Sequence, residues 1–181
     1  MSPKVEASAL PHLKIPDSLS PSTFPIRLSD TPYPSSQTQT IMPDIIHCIP
    51  IKASPKAIFD ALTTQKGLSS WWTEHVMAEP TEGSTTTFGF NGGEIEFHMH
   101  IDELEPSERV RWTCSSDFPD WNGTTLRFDI SVRDEGVAMV DFRHMNFPDG
   151  DHFARCNTDW GRLMYFLKDY LENGNDTPMM R

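Results

Sequence analysis

The clearest pattern in the chain is an alternation of apolar and polar positions that begins near residue 84. In "EIEFHMHIDEL" (94–104), Ile95, Phe97, Met99 and Ile101 fall on one side and Glu94, Glu96, His98 and His100 on the other. Successive strand side chains point to opposite faces, so this spacing predicts a strand with one face buried. "RVRWTC" (109–114) places Val110, Trp112 and Cys114 together. "TLRFDISVR" (125–133) does the same for Leu126, Phe128, Ile130 and Val132, and "VAMVDFRHMNF" (137–147) for Ala138, Val140, Phe142 and His144. "STTTFGF" (84–90) precedes them across the tight turn "NGG", and "DIIHCIPIK" (44–52) reads as an earlier strand from its β-branched content.

Two segments carry helical spacing. In "SPKAIFDALTT" (54–64), Ser54 is a natural N-cap, Pro55 suits the first helical position, and Ala57, Ile58, Ala61 and Leu62 form an apolar stripe. "QKGLSSWWT" (65–73) is a second short helix or turn. In the long segment from Asp151 to Gly174, Phe153, Cys156, Trp160, Leu163, Met164, Leu167, Tyr170 and Leu171 cluster on about a third of the helical circle. Asp149 or Asp151 is the expected N-cap and Gly174 the expected stop. Gly161 interrupts the helix at a cost of about 1 kcal/mol against alanine, which points to a close neighbour or a tolerated flaw. The predicted order is β, α, α, about five antiparallel strands, then one long helix. A sheet with a single apolar face needs a cover, and the last helix is the only long amphipathic element available. The fold class is therefore α+β.

Residues 1–41 differ in kind. They hold seven of the 15 prolines and eight serines, with neither glycine nor tryptophan, and their charges cancel. Such a composition is expected to be a disordered tail, with translation from Met42 as the alternative. The formal charge of −11 then belongs to the domain read over residues 42–178. An acidic chain without a basic patch is not expected to bind nucleic acid. No apolar run approaches the ~20 residues of a membrane span. Cys48, Cys114 and Cys156 give neither a disulfide framework nor a metal knuckle, and read as reduced thiols of a cytoplasmic protein.

"FDALTTQKGLSSWWT" (59–73), "RVRWTC" (109–114), "FRHMNFPD" (142–149) and "CNTDWGRLMYFLKDYLENG" (156–174) occur in this order, and together they resemble the START-like, or SRPBCC, superfamily. More narrowly, residues 44–178 are similar to the family related to the C-terminal domain of the activator of the ninety-kilodalton heat-shock protein ATPase. The resemblance implies a helix-grip fold, in which a curved antiparallel sheet wraps a long C-terminal helix over a hydrophobic cavity. It leaves function open among ligand binding, cofactor-free cyclase or hydrolase-like catalysis, and stimulation of a chaperone ATPase. In the family that last activity goes with an additional N-terminal domain, for which residues 1–41 are too short and too broken by proline.

Phe88, Phe90, Phe97, Met99, Trp112, Phe128, His144, Trp160 and Met164 are expected to face inward, and Trp72 and Trp121 to sit at one end on connections. They either line a cavity for a small hydrophobic molecule or fill the core. His144 is the one inward candidate for acid or base chemistry, and its alternative is a satisfied core histidine. His98 and His100 form an HxH pair beside Glu96 on the solvated face, without an evident third metal ligand. No catalytic constellation, cofactor motif or metal site emerges. The preferred reading is a hydrophobic-ligand binder that is not an enzyme, and the alternative partner is a chaperone.

Overall fold

Alternating strands dominate the molecule. The structure, a computed structural model, describes residues 44–148 and 150–180. The tail read over residues 1–41, the alternative start at Met42 and the capping role considered for Asp149 lie outside the described residues. Strand β1 (Ile45–Ile51) leads into helices α1 (Pro55–Thr63) and α2 (Gln65–Trp71). Strands β2 (His75–Met77), β3 (Thr85–Phe90), β4 (Ile95–Glu105), β5 (Arg109–Ser116), β6 (Thr125–Asp134) and β7 (Val137–Met145) follow, and helix α3 (Asp151–Asn173) closes the order. The seven strands form one curved antiparallel sheet in the order β1-β7-β6-β5-β4-β3-β2. This is the helix-grip arrangement.

Six strands, rather than about five, follow the helices. The missing one is β2. Its three residues, His75, Val76 and Met77, are too few to display alternation, and it is defined by pairing with Gly89, Phe88 and Thr87 of β3. The turn between β3 and β4 has positive φ at Asn91 (52°), Gly92 (71°) and Gly93 (90°), a path that glycine follows without penalty. Irregular registers between Ile101 and Glu103, and between Val132 and Asp134, break the ladders locally, as bulges do where a sheet bends.

The connection that brings the chain off β1 is built from side-chain caps. Ser54 Oγ accepts from the Ala57 N–H at 3.2 Å, with Pro55 in the first turn. Thr64 then serves both helices. Its hydroxyl donates to the Asp60 carbonyl at 2.7 Å, closing α1, and accepts from the Gly67 N–H at 3.0 Å, opening α2. A Cβ on Gly67 would lie 2.5 Å from the Asp60 carbonyl oxygen and 2.6 Å from the Ala61 Cα, so the two helices meet backbone to backbone there.

Helix α3 lies on the concave face. Cys156, Trp160, Leu163, Met164 and Leu167 are buried, while Tyr165 on the far side is 68% exposed. The neighbour expected beside Gly161 is His47 of β1: a Cβ would stand 3.3 Å from its Cε1, and the same imidazole meets the Asn157 carbonyl at 3.1 Å. The N-cap is Gly150 (φ 132°) rather than Asp151, and among the described residues no side chain caps the helix, so Asp151 contributes only its charge in the first turn. Gly174, in the left-handed region at φ 70°, ends it with an N–H to Tyr170 carbonyl bond. Beyond that stop the chain runs back to the end of α2. Met179 N–H donates to the Trp71 carbonyl at 3.1 Å and Met180 N–H to the Trp72 carbonyl at 3.0 Å, two residues past the boundary expected at 178.

Candidate functional site

Between α3 and the β3–β4 end of the sheet lies a cavity of about 460 Å³. Three elements form its walls. Trp160, Cys156 and Leu163 come from α3, because that stripe is the one turned to the sheet. Phe90, Ile95 and Phe97 come from the β3–β4 hairpin. Phe118 and Trp121 come from the β5–β6 connection, and Trp72, Phe147 and Met180 complete the lining. The aromatic faces are arranged as an open stack. Trp121 lies 4.9 Å from Phe97 at 22° and 6.0 Å from Trp160 at 29°, and Phe97 lies 5.1 Å from Phe90. Contacts of this kind contribute about 0.5–1.5 kcal/mol each beyond simple burial. At the rim Phe118 is 45% and Ile95 41% exposed, so apolar surface continues out to solvent.

Five of the residues expected at a ligand line this cavity: Trp72, Phe90, Phe97, Trp121 and Trp160. Phe88, Met99, Trp112, Phe128, His144 and Met164 do not. They are at most 2% exposed and pack as the layer behind it. Strand parity identifies the buried face correctly but not how far along a strand the cavity extends. Among the described residues the cavity opens at the β3–β4 end, and Trp112 and Phe128 meet each other at 5.4 Å in the filled part. Trp72 is not at an end of the molecule. As the residue after α2 it is 1% exposed and central, with ring centroids 4.3 Å from Phe88 and 5.1 Å from Trp160. Its position follows from the backbone contact at Gly67, which folds α2 inward.

His144 is buried, and its proton can be placed from its partners. The Trp160 indole N–H, which can only donate, points at His144 Nδ1 at 3.1 Å. Nδ1 must therefore accept, and the proton sits on Nε2, which donates to Thr124 Oγ1 at 2.8 Å. The Thr124 hydroxyl in turn donates to the Trp121 carbonyl at 2.7 Å. Burial depresses the imidazole pKa to about 3, so the ring stays neutral. The chain of bonds runs from one cavity wall, Trp160, to the other, Trp121. His144 thus has the geometry of a satisfied core histidine that positions two tryptophans, with both nitrogens engaged. Cys156 Sγ stands 3.9 Å from Nδ1, and burial pushes its thiol up to about 12, away from the thiolate that nucleophilic chemistry needs.

Polar groups appear only at the mouth. Asp120 of the β5–β6 connection pairs with His152 Nδ1 in the first turn of α3, tying the Trp121 segment to the helix. Asp159 pairs with Arg162 at 3.5 Å. Arg155 completes the rim and forms no ion pair among the described residues. The sequence reading missed Phe118, Asp120, His152 and Arg155, because an irregular connection and the polar flank of a helix carry no periodic signal. It also missed Met180, which lies beyond the helix stop. His98 and His100 lie away from the cavity. His98 Nδ1 meets Thr87 Oγ1 at 3.2 Å, and no group of three potential metal ligands gathers among the described residues.

The profile of the Activator of Hsp90 ATPase homolog 1-like proteins matches residues 52–172. The chain belongs to that family. Among solved structures it is similar to Aha1 from Colwellia psychrerythraea, whose dimer is known in solution. The two are 38% identical over 74% of this chain and 98% of that one, with a TM-score of 0.67. SSP2350 from Staphylococcus saprophyticus is 18% identical over 74% of this chain and 95% of its own (TM-score 0.64). CalU16 from Micromonospora echinospora is 14% identical over 72% and 77% (TM-score 0.58). The last two likenesses concern the fold alone. No curated protein sequence matches the chain. The match to the Hsp90-activator-like family runs from the residue after β1 to the last turn of α3, so all three walls of the cavity fall inside it.

Proposed function

We propose that the protein binds a small, largely apolar molecule in the cavity between the Trp121 segment and α3. The observation that carries this reading is the division of the lining: aromatic and aliphatic faces within, charged groups only at the mouth. Recognition sites for small molecules have this character, with apolar walls and a few polar groups that set orientation, in volumes of roughly 300–1,000 Å³. The helix-grip fold supports it by leaving one end of the sheet uncovered. No helix among the described residues is long and apolar enough to cross a membrane, and the three free cysteines agree with action in the cytoplasm.

N-phenyl-1-naphthylamine, an uncharged apolar fluorophore, tests the reading. One probe per chain should bind saturably, and Cys156→Trp, which fills the space beside Trp160, should weaken binding at least tenfold. Non-saturable binding, or equal binding to the filled variant, contradicts it. A second reading, association with a chaperone of the Hsp90 class, is favoured by the family profile. It predicts co-sedimentation of the two purified proteins, and none at high concentration would remove it.

A further inference from the structure

The mouth of the cavity holds four charged or titratable side chains, and three of them are committed. Asp120 is tied to His152 and Asp159 to Arg162. Arg155, one turn from Asp151 and one turn from Asp159, forms an ion pair with neither, and its side chain borders the apolar space. A guanidinium has five N–H donors in a planar fork that matches a carboxylate, and no acceptor. An uncommitted donor fork beside an aromatic-walled space complements a ligand with an apolar, planar body and one anionic head. The volume, about 460 Å³, is of the order that takes a drug-sized molecule.

We infer that the ligand is an amphipathic aromatic carboxylate, its rings against Trp121 and Phe97 and its carboxylate on Arg155. This rests on the cavity being a ligand site, and it deepens that reading by naming the head group. The chain's acidity does not oppose it, because the two carboxylates that line the mouth, Asp120 and Asp159, already have partners, and the apolar body supplies the affinity while Arg155 supplies the selection.

Biphenyl-4-carboxylate and biphenyl-4-methanol, which share a body and differ in the head, separate the two ideas. Calorimetric titration at pH 8 and low salt should show the acid binding roughly fivefold more tightly than the alcohol, the ratio that about 1 kcal/mol from a rim ion pair gives. Arg155→Gln should bring that ratio to near one. Arg133→Gln, an equal charge change on an exposed part of β6 away from the cavity, should leave the preference intact. Tighter binding of the alcohol, or a preference that survives Arg155→Gln, overturns the head-group assignment and leaves the cavity reading standing. If neither compound binds, the cavity reading fails, and this inference with it.

Discussion

At the scale of single residues the telling feature is His144, because its bonds can be assigned completely. The native state keeps it neutral with a pKa near 3, while the unfolded chain titrates near the ordinary ~6.5. Its contribution to stability is therefore fully present above pH ~6.5 and declines as the pH falls toward 3, with a limiting slope of about 1.4 kcal/mol per pH unit. Glu172 and Asp176, held low by Lys168 and Lys66, add to acid sensitivity only near and below pH ~4. Urea unfolding between pH 6.5 and 5 should thus show the His144 slope, and His144→Gln should flatten it; equal slopes in both proteins would contradict the assignment. The thiols give a second outcome. Burial holds Cys114 and Cys156 up to about 12, whereas Cys48 is exposed, so a disulfide reagent at pH 8 should label one cysteine rapidly in the native protein and all three in urea. Rapid labelling of Cys156 would mean that its surroundings are more open than the packing at Trp160 implies.

At the scale of elements, the two mid-helix glycines look alike in sequence and differ in what surrounds them. Gly67 faces backbone atoms of α1 that cannot yield, so Gly67→Ala should destabilise by about 1–3 kcal/mol, as overpacking does. Gly161 faces only the edge of the His47 ring, which can shift by a few tenths of an ångström. The helix-propensity gain of up to about 1 kcal/mol should offset that displacement and keep Gly161→Ala within about 1 kcal/mol of wild type in thermal unfolding. An equal cost at both sites would contradict the difference in packing. The same contrast marks what the sequence makes legible. Long strands such as β4 and β6, and the stripe on α3, announce themselves through period 2 and period 3.6. β2 does not, because three residues carry no period, and the inward fold of Trp72 does not, because it depends on a close approach at Gly67 rather than on any property of the Trp71-Trp72 pair. The cavity was legible as a possibility from its aromatic composition. Its extent was not, since Trp112 and Trp121 are equal in chemistry and only three-dimensional packing leaves one of them facing open space.

At the scale of the whole molecule, a curved sheet wraps a helix that covers only part of its concave face. Over β1, β7 and β6 the contact is filled, with Phe142 4.1 Å from Trp160 and Phe128 4.9 Å from Phe142. At the β3–β4 end the sheet and helix diverge, and the Trp121 segment bridges them through the Asp120–His152 pair. Family membership fixes this architecture, whereas the proposed ligand would be selected by local chemistry at the open end. The central claim is that this open end is a binding site for an apolar molecule. It is tested most directly by NMR titration with biphenyl-4-methanol, following tryptophan indole and methyl signals. Saturable shifts concentrated on Trp121, Trp160, Leu163 and Met180, with the exposed Val132 and Ile46 methyl groups unmoved, are the result expected. Signals that do not saturate, or shifts centred on the outer faces, would contradict the account.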